Sequence, residues 1–136
     1  MSRWIYRGEF VSMVNTVMEK SFVIETFRSI FRRILCSSLG ESAGEAVLFF
    51  LRRGLGRDPS DALWEDPKAV YYTMERVLGT GAKILIDILI TRINQEYRLN
   101  MGSERFLSLM RNGNQDSVEE IRAFLKEIAE SHRKRE

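Results

Sequence analysis

Apolar side chains recur every three or four residues along most of this chain of 136 residues. No segment shows the two-residue alternation that is typical of a half-buried strand. Between Glu9 and Lys20, and again from Phe22 to Leu35, the spacing places the apolar residues on one side of a helix. Ser21 stands between these segments, and serine is a preferred helix cap. The pattern therefore predicts two successive helices that meet at Ser21.

Glycine and proline divide the rest of the chain. Pro59 and Pro67 each follow an aspartate, and the Asp-Pro pair suits a helix start because Asp caps the first turn and Pro fits its backbone. Gly40 and the Gly79 to Gly81 corner mark further breaks. We predict helices over 42–53, 67–78, 82–97, 103–110 and 117–131, and a short turn or helix from 58 to 64. The segment 42–53 is apolar nearly all round, which predicts that it is buried.

Serines mark the last two predicted helices. Ser103 can cap the first of them, and Ser117 with Glu120 matches the capping-box pattern for the second. We therefore predict an all-α fold, a compact bundle of about six helices. Residues 1–136 are interpreted as a single helical domain, with residues 1–8 as a flexible arm and 132–136 as a frayed tail.

Composition and cysteine content narrow the setting. Hydrophobic residues make up 44% of the chain and charged residues 29%, which is typical of a folded globular protein. The single cysteine, Cys36, cannot form an internal disulfide and indicates a reducing compartment. No apolar run approaches the 18 or so residues of a membrane span, and the first residues lack a signal-peptide pattern. We expect a cytoplasmic protein without a membrane partner.

Catalytic and metal-binding chemistry finds little support in the sequence. One histidine, His132 in a charged segment, and one cysteine cannot supply the converging ligands of a zinc site. Ser37 and Ser38 have no nearby base that would activate them. We expect no catalytic residues, no metal and no cofactor, and we interpret the protein as a non-enzyme.

Positive charge is concentrated in the first part of the chain. Residues 1–57 hold nine Lys/Arg and five Asp/Glu, a net charge of +4, whereas residues 58–136 hold twelve and fourteen, a net charge of −2. An arginine-rich patch can bind phosphates, so an arginine-dependent nucleic-acid-binding protein is the alternative interpretation. The candidate contacts are Arg28, Arg32, Arg33, Arg52 and Arg53.

Residues 39–98 carry glycines, prolines and apolar positions in a recognisable order. The matching residues are Leu39-Gly40, Ala43, Val47-Leu48, Asp58-Pro59, Pro67, Val77-Leu78-Gly79, Gly81-Ala82 and Leu85. This segment resembles a family of small archaeal helical domains described as signal-output domains, whose biochemical activity is not established. The resemblance implies a partner-binding or regulatory module and carries no catalytic residue over to this chain.

The first two predicted helices are more apolar than one buried face requires. In a domain this small, we expect part of that surface to be covered by a second copy, since a symmetric dimer is the commonest way to bury it. The sequence therefore predicts a non-enzymatic interaction or signalling module that acts as a homodimer and binds an unidentified protein partner. We expect Glu25, Arg28 and Arg32 at the rim of the dimer. Its face is predicted to comprise Phe10, Met13, Val17, Phe22, Phe27 and Phe31.

Overall fold

Seven α-helices and no strand make up the part of the chain that the structure describes. This computed structural model describes the backbone of residues 3–135 and the side chains of residues 12, 13 and 15–135. The helices are α1 (Arg3–Leu39), α2 (Glu41–Leu55), α3 (Pro59–Glu65), α4 (Pro67–Leu78), α5 (Gly81–Tyr97), α6 (Ser103–Asn112) and α7 (Gln115–Arg135). The all-α prediction is confirmed, and the helix count is seven instead of about six.

The two helices predicted before residue 36 are one continuous helix, α1, of 37 residues. Ser21 lies within it and caps nothing, so that prediction is wrong. Neither glycine nor proline occurs near Ser21, and the backbone hydrogen bonds therefore continue past it. The predicted arm at residues 1–8 belongs to α1 from Arg3 onward, and its side chains lie outside the described residues.

Caps explain where several helices begin. The side chain of Asp58 accepts a hydrogen bond of 2.8 Å from the Ser60 amide, and that of Asp66 accepts one from the start of α4, which confirms both predicted Asp-Pro starts. The predicted capping box is wrong, because Asn114 Oδ1 accepts the Ser117 amide at 2.8 Å and α7 begins at Gln115. The predicted cap Ser103 lies inside α6 and makes no side-chain capping bond.

The core surrounds α5, which contacts α1, α4, α6 and α7. The second half of α1 lies in the same core, where Ile34 and Leu35 are fully buried, and α1 contacts α2, α5 and α7. α1 and α2 approach closely: a Cβ added at Gly44 would lie 2.9 Å from the Cys36 backbone. The fully buried residues of the other helices include Leu51, Ile90, Ile93, Ile121 and Ile128.

The segment predicted to be a frayed tail is helical through Arg135. The Tyr97 hydroxyl lies 2.9 Å from Nδ1 of His132, and the Arg133 guanidinium lies 4.5 Å from the centre of the Phe22 ring. Arg135 donates a hydrogen bond of 3.1 Å to the Glu96 carbonyl. These contacts attach the last turns of α7 to α1 and α5.

Candidate interaction surface

The first half of α1 extends beyond the bundle. Residues 12, 13 and 15–19 are all exposed, and because these positions cover every side of a helix, no described helix packs closely against it there. Met13 and Val17 are each 59% exposed and Met18 is 64% exposed. The residues from Arg3 to Lys20 span about 27 Å of helix.

This segment is unusual because three of its described apolar side chains, those of Met13, Val17 and Met18, face solvent. An isolated helix of this length is only marginally stable in water, and burial of an apolar face normally supplies the remaining stability. An exposed apolar surface on this scale commonly marks an interaction site. The first half of α1, in which the described residues 12, 13 and 15–19 are exposed, is called here the exposed half of α1. It is the strongest candidate for a binding surface in the described part of the chain.

The bundle covers the second half of the predicted dimer face. Phe27 and Phe31 are 4% and 5% exposed, so their assignment to a partner-binding face is wrong. They stack at 5.8 Å and line a small core void together with Pro59 and Leu63 of α3. The sequence predicted only a short turn or helix for residues 58–64. This segment, α3, covers Phe27 and Phe31, which we had expected a second copy to cover.

The other predicted dimer residues fall into three groups. Met13 and Val17 are exposed and available to a partner. Phe22 is partly buried, and its ring lies beneath the Arg133 guanidinium. The side chain of Phe10 lies outside the described residues, although its backbone belongs to α1. The candidate binding face therefore lies nearer the beginning of α1 than the sequence predicted.

Ion pairs surround α1 at the point where it leaves the bundle. Lys20 pairs with Glu65 of α3 at 2.6 Å, and Arg28 contacts Asp58 at 3.2 Å and Asp61 at 2.9 Å. Arg28 also pairs with Glu25, so one guanidinium faces three carboxylates. These contacts fix the orientation of α1 relative to α3.

A second part of this boundary is built around Trp64. The Arg122 side chain donates a hydrogen bond of 2.9 Å to the Trp64 carbonyl, and its guanidinium lies 5.1 Å from the centre of the Trp64 rings. Arg122 also lies 3.6 Å from Glu65. The hydrogen bond from Lys20 lowers the pKa of Glu65 and outweighs the opposing effect of burial, so this carboxylate stays ionised.

The arginines predicted to bind nucleic acid do not form one free surface. Arg33 binds Glu96 through two hydrogen bonds of 2.7 and 3.1 Å, Arg32 pairs with Glu45, and Arg28 pairs as described above. Apart from Glu25, these carboxylates lie outside α1, and a charge count along the sequence does not reveal such pairs. Arg52 and Arg53 are exposed and have no ion-pair partner among the described residues.

An exposed aromatic pair lies on α2 and was not predicted from the sequence. Phe49 and Phe50 are 54% and 48% exposed and meet edge to face with ring centres 5.4 Å apart. The prediction that this helix is buried all round is therefore wrong. Arg53 lies one turn after Phe49 on the same side of α2, and this spacing was the available sign of a solvent-exposed face.

The described residues show no metal-binding cluster and have their larger cavities, of about 280 to 420 Å³, as open clefts at the surface. They contain no group of three or more His, Cys, Asp or Glu that could hold a metal ion. The void beside Phe27 and Phe31 has a volume of about 20 Å³, which is room for about one water molecule. Within the described range, no helix is long and apolar enough to span a membrane.

Comparisons of this chain with protein-family models, with curated proteins and with solved structures find no match. The similarity of residues 39–98 to signal-output domains therefore stays a prediction.

Proposed function

We propose that this protein is a non-enzymatic interaction or signalling module that works through the exposed half of α1 and forms a homo-oligomer. The observation that carries the proposal is the exposure of Met13, Val17 and Met18 in the first half of α1. The resemblance of residues 39–98 to signal-output domains supports a regulatory role. The single cysteine supports action in a reducing compartment, for which we propose the cytoplasm.

Self-association is the first partner interaction to test. The monomer mass is 15.9 kDa, and we expect light scattering across a concentration series to give twice this mass. Val17→Glu should raise the dissociation constant at least about tenfold, because a carboxylate at a closed apolar contact loses its hydration. Val17 is 59% exposed and is not part of the buried core, so the variant should remain folded.

Asn15→Glu is the matched control. Asn15 is exposed on the same stretch of α1 but lies on the side opposite Met13 and Val17, so it introduces the same charge away from the apolar stripe. It should leave the mass unchanged. A wild-type mass that stays at 15.9 kDa at every concentration would overturn self-association. Equal weakening by both substitutions would show that the apolar stripe is not the contact.

Nucleic-acid binding is the second candidate, and one observation favours it. Arg52 and Arg53 have no carboxylate partner in the described part of the chain, and they lie next to Phe49 and Phe50 on α2. Arginines bind phosphates, and exposed aromatic rings stack on unpaired bases. The proposed site is thus smaller than the sequence predicted and excludes the paired Arg28, Arg32 and Arg33.

Retention on single-stranded DNA and RNA at increasing salt tests this second function. Phosphate contacts release counterions, so affinity should fall steeply as salt rises. A paired Arg52→Glu and Arg53→Glu substitution should abolish retention, whereas Arg105→Glu should not, because Arg105 already pairs with Glu120. If wild type is not retained at low salt, nucleic-acid binding is wrong.

A further inference from the structure

We propose that the ring of Phe50 on α2 stacks on one base of a single-stranded nucleic acid, and that Arg53 of α2 and Arg76 of α4 bind the phosphates on the two sides of that base. This inference rests on nucleic-acid binding, the second candidate function. It adds a residue from another helix, Arg76, and assigns the base contact and the phosphate contacts to different side chains.

The ring of Phe50 is open to solvent on its own helix. Its side chain is 48% exposed, and the residues one turn before and one turn after it are Ala46 and Gly54, which are too small to cover the ring. The ring of Phe49 meets it edge to face with an angle of 80° between the two planes. Such a contact occupies at most one face of a ring, so at least one face of Phe50 is left for a base.

The contact between α2 and α4 brings Arg76 to the same place. A Cβ added at Gly54 would lie 2.7 Å from Cγ2 of Thr73 and 3.6 Å from Nη2 of Arg76. The same Nη2 donates a hydrogen bond of 3.3 Å to Oγ1 of Thr73, whose side chain is buried. The threonine therefore orients the guanidinium beside Gly54, one turn after Phe50.

The two arginines lie on opposite sides of Phe50. Arg53 follows it by three residues and Gly54 by four, and these two positions flank the direction of Phe50 around the helix. Arg53 is therefore on one side of the ring, and Arg76, which contacts Gly54, is on the other. Both arginines are exposed, and neither pairs with a carboxylate among the described residues.

The neighbouring carboxylates are engaged elsewhere. The acidic residues within eight positions of Arg53 are Glu45, Asp58 and Asp61, and all of them pair with arginines of α1. On α4, Glu75 accepts a hydrogen bond of 3.0 Å from the Tyr71 hydroxyl. It lies two residues after Thr73 and so projects from the side of α4 that faces away from α2. The guanidinium groups of Arg53 and Arg76 are thus available to an anionic ligand.

A ligand that fits this arrangement is flat and apolar at its centre and anionic on two sides. A base of a single strand, with the phosphates that precede and follow it, has these properties, and an aromatic ring stacks on any of the bases. In a duplex the base faces are covered by neighbouring bases, so a duplex offers this site only its phosphates. We therefore expect a preference for single strands and little preference for sequence.

Phe50→Leu tests the stacking contact. Affinity of the full-length protein for a fluorescent oligothymidylate of about 12 nucleotides is measured by anisotropy at several salt concentrations. Leucine keeps an apolar side chain of similar size but removes the ring, so the dissociation constant should rise at least about fivefold. The slope of log affinity against log salt should not change, because no phosphate contact is lost. Phe50 is exposed, so the variant should remain folded, which circular dichroism checks.

Arg76→Gln tests the phosphate contact from α4 in the same assay. The magnitude of the salt slope should fall by about 0.7, the value for one phosphate contact on a single strand. Lys68→Gln is the matched control, because it removes the same charge from the same helix. Lys68 is exposed and lies near the start of α4, where its side chain is 2.8 Å from a Cβ added at Gly113. The control should leave the slope and the dissociation constant unchanged.

The possible results separate this inference from the function on which it rests. If the wild type binds neither single-stranded DNA nor RNA at low salt, nucleic-acid binding is wrong and this inference is wrong with it. Binding that is lost in the paired Arg52→Glu and Arg53→Glu variant but unchanged in Phe50→Leu and Arg76→Gln would keep the function and overturn this inference.

Two further probes test the kind of ligand. Equal affinity for a duplex of the same length would show that no base stacks on Phe50, and this would overturn the inference. Vesicles that contain phosphatidylserine are the second probe, because exposed rings beside arginines can also bind an anionic membrane surface. Binding to these vesicles without binding to nucleic acid would assign the site to a membrane and overturn both the inference and the nucleic-acid function.

Discussion

At the scale of single residues, pairing decides what each charged side chain can do. Arg33 and Arg53 have the same chemistry in the sequence, yet Arg33 is held by Glu96 and Arg53 projects into solvent without an ion-pair partner among the described residues. A guanidinium already bound to a carboxylate has little left to offer a phosphate, since a new contact must first break the old one. The candidate nucleic-acid surface therefore contracts to α2.

Glu96→Gln tests the strongest of these pairs through its pH dependence. Burial raises the pKa of Glu96, but the hydrogen bonds and charge of Arg33, together with the charge of Arg135 and a smaller effect of Tyr97, outweigh burial and hold the pKa below its usual 4.5. Because the folded pKa is lower than the unfolded one, the stabilisation is fully present above the unfolded pKa and is lost as pH falls through the folded pKa. At about pH 7 the variant should lose on the order of 1 kcal/mol of unfolding free energy.

Urea unfolding at about pH 7 and about pH 3 measures this difference. The gap between wild type and Glu96→Gln should close at the lower pH. Glu127→Gln is the control, because Glu127 is exposed and has no ion pair within the described residues. An undiminished gap at low pH would show that lost packing, and not the charge, accounts for the effect.

At the scale of helices, the close approach of two helix backbones matters more for stability than the helix propensity of a single residue. α1 and α2 cross so tightly at Gly44 that an added Cβ would lie 2.9 Å from both the Cα and the Sγ of Cys36. The backbone of α1 cannot yield there without displacing Ile34 and Leu35 from the core. This crossing positions α2 and hence the exposed Phe49 and Phe50.

Gly44→Ala should therefore destabilise the fold by about 2 kcal/mol, although alanine is the better helix former. Gly81→Ala is the matched control, because its added Cβ would lie 3.6 Å from the Leu78 side chain, an ordinary contact, at the start of α5. Thermal unfolding followed by circular dichroism measures both. A neutral Gly44→Ala would show that the two helices separate easily.

Asn114→Ala tests which residue begins α7. The loss of the 2.8 Å bond from the Ser117 amide should cost about 1 kcal/mol, the usual value for a lost helix cap. Glu120→Gln, which the capping-box prediction would make costly, should change stability little, because Glu120 pairs with Arg105 in an exposed position. Chemical denaturation of the two variants distinguishes the alternatives, and the reverse order of cost would restore the capping box.

At the scale of the whole molecule, self-association should make the thermal stability depend on protein concentration. A partner that binds only the folded state raises the thermal midpoint in proportion to the logarithm of its concentration. We expect the wild-type midpoint to rise over an about 100-fold range of protein concentration and that of Val17→Glu to stay constant. Differential scanning calorimetry measures this, and a constant wild-type midpoint would contradict self-association.

The starts of α3 and α4 follow from the sequence because their causes are local. Asp58 and Asp66 each cap the helix that begins at the next residue, so two or three neighbouring residues contain the whole signal. The all-helical class is equally local, since periodic apolar residues and the absence of proline in long segments act within a few turns. The start of α7 was wrong because Asn114 and Ser117 compete for the same role and only the backbone geometry separates them.

Only the tertiary structure decides which part of α1 is free to bind a partner. Phe27 and Met13 lie on the same side of α1, and both are apolar. Phe27 is buried beside α3, whereas Met13 is exposed to solvent. The arginines behave similarly, since Asp58 and Asp61, which pair with Arg28, and Glu96, which pairs with Arg33, lie 30 or more residues away along the chain. Periodicity determines which side of a helix is apolar, whereas the packing of distant helices determines how much of that side remains for a partner.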